Sequence, residues 1–113
     1  MFVDSRVRDV SSDGIDIDFG RGKIKTSTFK NFGGDAIDVS GSHIEASNLT
    51  IQDAQDKGIS VGERSFFEGS NIEIDGVGIA IASKDGSRTF LRDSRIDNVR
   101  HYSYMAYVKK LLC

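Results

Sequence analysis

The residues of this sequence best suited to chemistry are aspartates that recur at a fixed spacing. The segment SSDGIDIDFG contains Asp13, Asp16 and Asp18, and 22 residues after the first two come Asp35 and Asp38. Paired carboxylates are the groups that glycoside hydrolysis uses as general acid and as base or nucleophile. Clustered carboxylate oxygens are also ligands of Ca²⁺. A third interpretation is a solvated surface that keeps a strand soluble.

The same segment has the alternation of a β-strand. Ile15, Ile17 and Phe19 alternate with Asp16 and Asp18 at a period of two residues. We therefore expect the three apolar side chains to point into a core. The two aspartates are expected to point outward.

A unit of about 22 residues repeats five times along the chain, and several of its positions keep their residue type. The first aligned column consists of serines, at Ser5, Ser27, Ser47, Ser70 and Ser94. Three positions before each serine is a large apolar residue, at Phe2, Ile24, Ile44, Phe67 and Leu91. Two positions after each serine is another, at Val7, Phe29, Leu49, Ile72 and Ile96.

The second half of the unit contains a turn and a strand. The turn position recurs at Asp9, Asn31, Asp53, Gly76 and Asn98, and an apolar residue follows each, at Val10, Phe32, Ala54, Val77 and Val99. The alternating strand comes next, as Ile15/Ile17, Ile37/Val39, Ile59/Val61, Ile79/Ile81 and Met105/Tyr107. In the fourth unit a shorter loop leaves open whether Ile79 or Ile81 is equivalent to Ile59.

Three short strands in about 22 residues, with no room for a helix, predict one rung of an all-β parallel solenoid. Rungs stack at about 4.8 Å, so five of them form a cylinder roughly 24 Å tall. The serines are expected to lie inside a corner, with their hydroxyl groups bonded to backbone. The Asp and Asn residues are expected at turns, because they tolerate left-handed φ. An antiparallel sandwich is the alternative. It is disfavoured because the Asp-Gly pairs fall at different columns of the repeat.

Stacking of the rungs predicts which polar side chains meet. Two outward columns are expected, Asp16/Asp38/Ser60 and Asp18/Ser40/Gly62, with a third at the turn, Asp13/Asp35/Asp56. Carboxylates on adjacent rungs repel, so each raises its neighbour's pKa or the group recruits a cation. We expect Lys57 to neutralise the turn acids.

Three segments resemble successive motifs of the polygalacturonases, which are pectin hydrolases. SDGIDI (12–17), GGDAIDVSGS (33–42) and DKGISVGE (56–63) are similar to Asn-Thr-Asp-Gly-Ile-Asp, Gly-Asp-Asp-Cys-Ile-Ala and Gly-His-Gly-Ile-Ser-Ile-Gly, in the same order and one rung apart. The resemblance covers about 50 residues. It implies a right-handed parallel β-helix.

The resemblance carries over only part of an active site. Asp13 and Asp35 match catalytic aspartates and are the catalytic candidates. Gly34 replaces the aspartate that supplies the acid, and Lys57 replaces the motif histidine. A lysine cannot relay a proton as a neutral histidine does. The enzymatic interpretation is therefore disfavoured.

More broadly, the chain resembles right-handed β-helix repeat proteins grouped around carbohydrate-binding and sugar-hydrolase domains. This implies a non-enzymatic module that presents a polar, acidic sheet surface to a carbohydrate or protein partner. Its expected binding residues are Asp16, Asp18, Asp38 and Lys57. The alternative is a uronan hydrolase or lyase that uses the aspartates, with no cofactor or with Ca²⁺ held by Asp16 and Asp38. Many bacterial proteins of this kind are extracellular or periplasmic and have more rungs.

Composition limits the other function classes. A net charge of −2 with interspersed signs argues against nucleic-acid binding. The sequence contains no run of 18 apolar residues, so no membrane-spanning helix is predicted. Residues 1–113 are expected to form one domain, and it stays open whether that domain is complete or part of a longer solenoid. The first residues lack a signal-peptide pattern, which predicts a cytoplasmic protein as the chain stands and an exported one if it belongs to a secreted relative.

The two ends of a solenoid carry unpaired backbone groups that invite association. Residues 1–3 begin in mid-rung, and Leu111 and Leu112 are apolar at the other end. A dimer joined through these ends would cover both. Self-association is therefore the expected partnership.

Overall fold

The computed structural model describes residues 2–3 and 5–107, and these form a parallel β-helix. Nine strands make up its wall, and every strand pair among them is parallel. The strands are β1 (Phe2–Val3), β2 (Arg6–Val10), β3 (Ile15–Asp18), β4 (Arg21–Phe32), β5 (Ile37–Ser40), β6 (His43–Gly62), β7 (Phe66–Lys84), β8 (Arg88–Arg92) and β9 (Arg95–Tyr107). Among the described residues, none forms a helix long and apolar enough to cross a membrane.

Each rung contributes to three sheets, which we number by their order along the chain from Arg21. The first sheet contains 21–25, 43–47, 66–70 and 88–92, and the second contains 6–8, 28–30, 50–52, 73–75 and 95–97. The third sheet contains 15–18, 37–40, 59–62, 81–84 and 104–107. Paired residues on neighbouring rungs are 22 or 23 positions apart, as in Ile15↔Ile37 and Ile44↔Phe67. The repeat predicted from the sequence is confirmed.

The chain turns between sheets at single residues with left-handed φ. The predicted turn column adopts this conformation on all five rungs, at Asp9, Asn31, Asp53, Gly76 and Asn98. A second left-handed corner, not identified in the sequence, lies at Thr26, Asn48, Asn71 and Asp93. Side-chain amides stack at both corners, since Asn31 Nδ2 donates to Asp9 Oδ1 at 2.8 Å and Asn71 Nδ2 donates to Asn48 Oδ1 at 2.7 Å.

The predicted serine column is wrong for two of its members. Ser27 pairs with Leu49, whereas Ser47 pairs with Lys25 on one side and Ser70 on the other. The apolar columns on either side shift by the same two residues: Ile24 pairs with Ala46, and Phe29 pairs with Ile51. Inward residues stay inward after this shift because it preserves the period of two.

Serine hydroxyls do line corners, as predicted, but mainly at another one. Gly20 N donates to Ser42 Oγ at 2.9 Å, Ser42 N to Ser65 Oγ at 3.0 Å, and Ser65 N to Ser87 Oγ at 3.0 Å. Of the predicted column, Ser27 and Ser94 behave in this way. Ser27 Oγ donates to Lys25 O at 2.8 Å, and Ser94 Oγ accepts Ile72 N at 3.2 Å and donates to Arg92 O at 3.0 Å. These bonds satisfy corner backbone groups that have no ladder partner.

The core is a stack of apolar side chains inside the cylinder. Its largest buried members are Phe29, Phe32 and Phe67, each at most 1% exposed. In the third sheet, Ile59 pairs with Ile81, which answers the question left open by the sequence. Ile81 pairs in turn with Tyr104, so the predicted alignment of Met105 and Tyr107 with the alternating pairs of the other rungs is off by one residue.

The predicted dimer through the solenoid ends stays a prediction. Leu111 and Leu112 lie outside the described residues. Within the described part, β8 and β9 pair with β7 on one side only, which leaves the other edge of the last rung without a described partner.

Candidate functional site

The third sheet brings together the aspartates that the sequence singled out. Asp16 pairs with Asp38, and Asp38 pairs with Ser60, as the repeat predicted. Asp16 is exposed, Asp38 is half-buried and Ser60 is fully buried. Ser60 Oγ has no hydrogen-bond partner among the described residues. The predicted neighbour relation of Asp18 with Ser40 is also present.

Asp13 lies in the turn that precedes β3, next to this column. One carboxylate oxygen from each of Asp13, Asp16 and Asp38 lies within 4.8 Å of the other two. Asp13 Oδ1 also accepts the backbone N–H of Asp35 at 2.7 Å. Asp13 therefore has two roles, one in the carboxylate cluster and one in holding the turn of the next rung.

Asp35 is buried in the turn, where its carboxylate accepts a hydrogen bond and pairs with a lysine. It is 7% exposed, and its Oδ1 accepts the backbone N–H of Lys57 at 3.1 Å. The Lys57 ammonium lies 3.7 Å from Asp35 Oδ1 and 3.0 Å from Asp56 Oδ2. The neutralising contact predicted for Lys57 is confirmed. The predicted place of Asp56 in the turn column is wrong, because Lys57 follows Asp13 and Asp35 in the stack.

The local environment raises the pKa of three carboxyl groups. Loss of hydration raises the pKa of Asp16 to about 6, helped by a hydrogen bond and charge repulsion from Asp13. Burial and the charge of Asp13 raise the pKa of Asp38, against the opposing charges of Lys84 and Lys57. Burial raises the pKa of Asp35 to about 6, although Lys57 works against the shift.

We expect Asp16→Asn to raise the thermal stability at pH 7.5. A carboxyl whose folded pKa lies above its unfolded value binds more protons when folded. Its stabilising contribution is therefore complete below about pH 4 and is lost as the pH rises through about 6. Since Asp16 is exposed, we expect a modest rise in Tm, roughly 2–4 °C, that disappears near pH 4. Thermal melts from pH 4 to 8 measure it.

The matched control for this experiment is Glu73→Gln, an exposed carboxylate of the second sheet. It should leave the pH profile unchanged. A Tm for Asp16→Asn that is lower than that of the unmodified protein at pH 7.5 would contradict the raised pKa of Asp16.

Gly34 occupies the position where the polygalacturonase motif has its acid. A Cβ at Gly34 would overlap Asp13 Oδ1. That oxygen accepts the Asp35 N–H, so moving it breaks the bond between two rungs. The glycine is therefore part of the turn's packing, and an acid there would have to displace the Asp13 carboxylate.

Phe19 is a site residue that the sequence interpretation placed wrongly. Its side chain is 80% exposed, where the alternation predicted an inward orientation. The strand ends at Asp18, and Phe19 adopts φ +51° at the following corner, which turns the side chain outward. A Cβ built on Gly41 would lie 2.7 Å from the Phe19 ring, so the ring packs on this glycine of the next rung. We call Asp16, Asp18, Phe19 and Asp38 the acidic face.

Comparison with known proteins supports the architecture. A family model described as a right handed beta helix region matches residues 1–110. No curated protein and no solved structure gives a significant match. The match spans nearly the whole chain.

Proposed function

Because the chain belongs to the right-handed β-helix family, we propose that it is a non-enzymatic module whose acidic face binds a carbohydrate. The observation that carries this proposal is the exposed Phe19 ring beside the carboxylates of the third sheet. An aromatic ring offers a flat apolar surface for the C–H face of a sugar. Ionised carboxylates accept hydrogen bonds from sugar hydroxyl groups. Phe19 directly follows Asp18 at the corner that ends β3, so the two kinds of contact come from adjacent positions.

The engagement of the catalytic candidates supports a binding role over catalysis. Asp13 and Asp35 each accept a backbone N–H from the next rung. Lys57 stands in the position of the motif histidine and pairs with Asp35 and Asp56. A glycoside hydrolase needs a general acid next to its base or nucleophile. In this turn Gly34 has no side chain to supply one.

Ca²⁺ enters the proposal as a bridging ion. The oxygens of Asp13, Asp16 and Asp38 converge. The Ser60 hydroxyl, for which the described part of the chain supplies no hydrogen-bond partner, follows Asp38 in the same column. These are the hard oxygen donors that Ca²⁺ prefers. A bound Ca²⁺ would relieve the repulsion among the carboxylates and would allow an acidic sugar to bind an acidic face.

The test is binding of neutral and uronic oligosaccharides to the purified protein, with Ca²⁺ or with chelator, by calorimetry. We expect Phe19→Ala and Asp38→Asn each to weaken binding at least tenfold, about 1.4 kcal/mol. Glu73→Gln, on the second sheet, is the control and should bind normally. Failure of every sugar to bind, or unchanged binding in both variants, overturns the proposal.

The same samples test the enzymatic alternative. Release of reducing ends or unsaturated products from polyuronates, abolished in Asp35→Asn, would establish a hydrolase or lyase instead. We expect no product in either protein.

A further inference from the structure

We propose a second site, on the first sheet, that binds a divalent transition metal such as Zn²⁺ through His43, Glu45 and Glu68. His43 and Glu45 are two residues apart on β6, so their side chains lie on the same outward side of the sheet. Glu68 on β7 is directly opposite Glu45, and Phe66 is directly opposite His43. The register of two neighbouring rungs therefore places one imidazole and two carboxylates side by side.

The distances suit a metal site that forms when the ligand side chains move by a small amount. One ligand atom from each of the three side chains lies within 4.8 Å of the other two. Tetrahedral ligands at 2.0–2.1 Å from Zn²⁺ lie about 3.3 Å from each other. Both glutamates are exposed and can move by the ångström or so that this requires. The His43 ring packs against the Phe66 ring, with centroids 4.8 Å apart, and this contact restricts its orientation.

Charge also favours a cation at this place. Like charges directly opposite each other on neighbouring strands are destabilising, and Glu45 and Glu68 are such a pair. Lys23 offsets part of this, with its ammonium 3.6 Å from Glu45 Oε2. On the next rung Glu68 faces Phe90. No cation within the described ranges pairs with Glu68.

The donor set selects the kind of metal. An imidazole nitrogen with two carboxylate oxygens suits Zn²⁺ and similar transition metals, whereas Ca²⁺ takes oxygen ligands alone. Three protein ligands leave at least one coordination position open. The two glutamates line a groove of about 610 Å³ that also includes Ser47, Ser70 and Arg92. The groove therefore offers space beside two of the three ligands for a further ligand.

Titration of tag-free full-length protein with ZnCl₂, by calorimetry and thermal melting, tests the site. We expect one bound equivalent and a rise in Tm. His43→Gln and Glu68→Gln should each weaken binding at least tenfold, and excess Ca²⁺ should not compete. Co²⁺ in place of Zn²⁺ should give a visible d–d spectrum that His43→Gln abolishes. The three side chains are at least partly exposed, so the variants are expected to fold, and circular dichroism checks this.

Two further variants make the result decisive. Asp38→Asn removes a carboxylate of the acidic face, and Cys113→Ser removes the thiol as an alternative ligand. Both should bind Zn²⁺ as the unmodified protein does. The proposal is overturned by the absence of binding, by undiminished binding in His43→Gln, or by a loss of binding in Cys113→Ser.

Discussion

Lys57→Met is expected to lower the free energy of unfolding by about 3 kcal/mol at pH 8. The substitution removes the ammonium 3.7 Å from Asp35 Oδ1 and leaves a carboxylate that is 7% exposed without this cation. Methionine retains an unbranched side chain of similar length, so most of the aliphatic packing remains. The loss therefore reports the charge contact, and urea unfolding followed by circular dichroism measures it.

The pH dependence distinguishes charge from packing. Burial already raises the pKa of Asp35 to about 6 in the presence of Lys57, and loss of the lysine raises it further. A raised pKa means that folding is favoured when the carboxyl is protonated, so the variant should recover most of its stability near pH 4. An equal loss at pH 4 and pH 8 would contradict the charge contact.

Two further variants complete this experiment. In Asp35→Asn/Lys57→Met, the neutral amide of the asparagine keeps an oxygen that can accept the backbone N–H of residue 57. Most of the stability should therefore return at pH 8. Lys23→Met is the matched control, because Lys23 pairs with Glu45 at 3.6 Å but both side chains are about half exposed. Such a pair contributes about 0.5 kcal/mol or less.

The Lys57 contact could be predicted because the third sheet keeps a constant spacing. Asp13, Asp35 and Lys57 are successive at intervals of 22 residues. Each is followed by a small residue and then by isoleucine. The predicted column with Asp56 departs from this pattern by one residue, and for that reason it is wrong. The left-handed turn column could be predicted for a similar reason, since asparagine, aspartate and glycine tolerate positive φ.

The serine alignment failed because residue type was given more weight than rung length. It required a spacing of 20 residues between Ser27 and Ser47. Paired residues on neighbouring rungs of the structure are 22 or 23 positions apart. A shorter interval would need two residues to be deleted from inside a stacked strand. The small Ser27 instead lies below the larger Leu49, and such a size change within a column leaves no periodic signal.

The remaining errors at the sites have different causes. The alternation predicts an inward Phe19 only if it continues past Asp18, and the corner after Asp18 reverses the side-chain direction. The grouping of His43, Glu45 and Glu68 could be predicted, since the aligned pairs Ile44/Phe67 and Ser47/Ser70 already carry the 23-residue offset that sets Glu45 opposite Glu68. The outward columns predicted from the sequence cover only the third sheet and its turn, so this cluster on the first sheet is absent from them.

Gly33→Ala is expected to lower the free energy of unfolding by about 3 kcal/mol, at the upper end for overpacking. A Cβ at Gly33 would overlap the carbonyl oxygen of Ser11 on the rung below. The clash is with backbone, so no side-chain rotation relieves it. The two turns are also tied together, because Gly33 N donates to Val10 O at 2.9 Å and Gly34 N donates to Ser12 O at 3.1 Å.

Gly22→Ala is the matched control, since a Cβ there would meet nothing within 4 Å. Alanine in place of this strand glycine should be neutral or should stabilise the protein by up to about 1 kcal/mol, because it restricts the unfolded chain. Urea unfolding of both variants measures the difference, and equal stabilities would contradict the close stacking of the turns. Since the turn below Gly33 carries Asp13, we also expect Gly33→Ala to weaken sugar and Ca²⁺ binding at the acidic face, whereas Gly22→Ala should leave both unchanged. A backbone displacement that altered stability but not these affinities would show that the binding carboxylates are positioned by their strands alone.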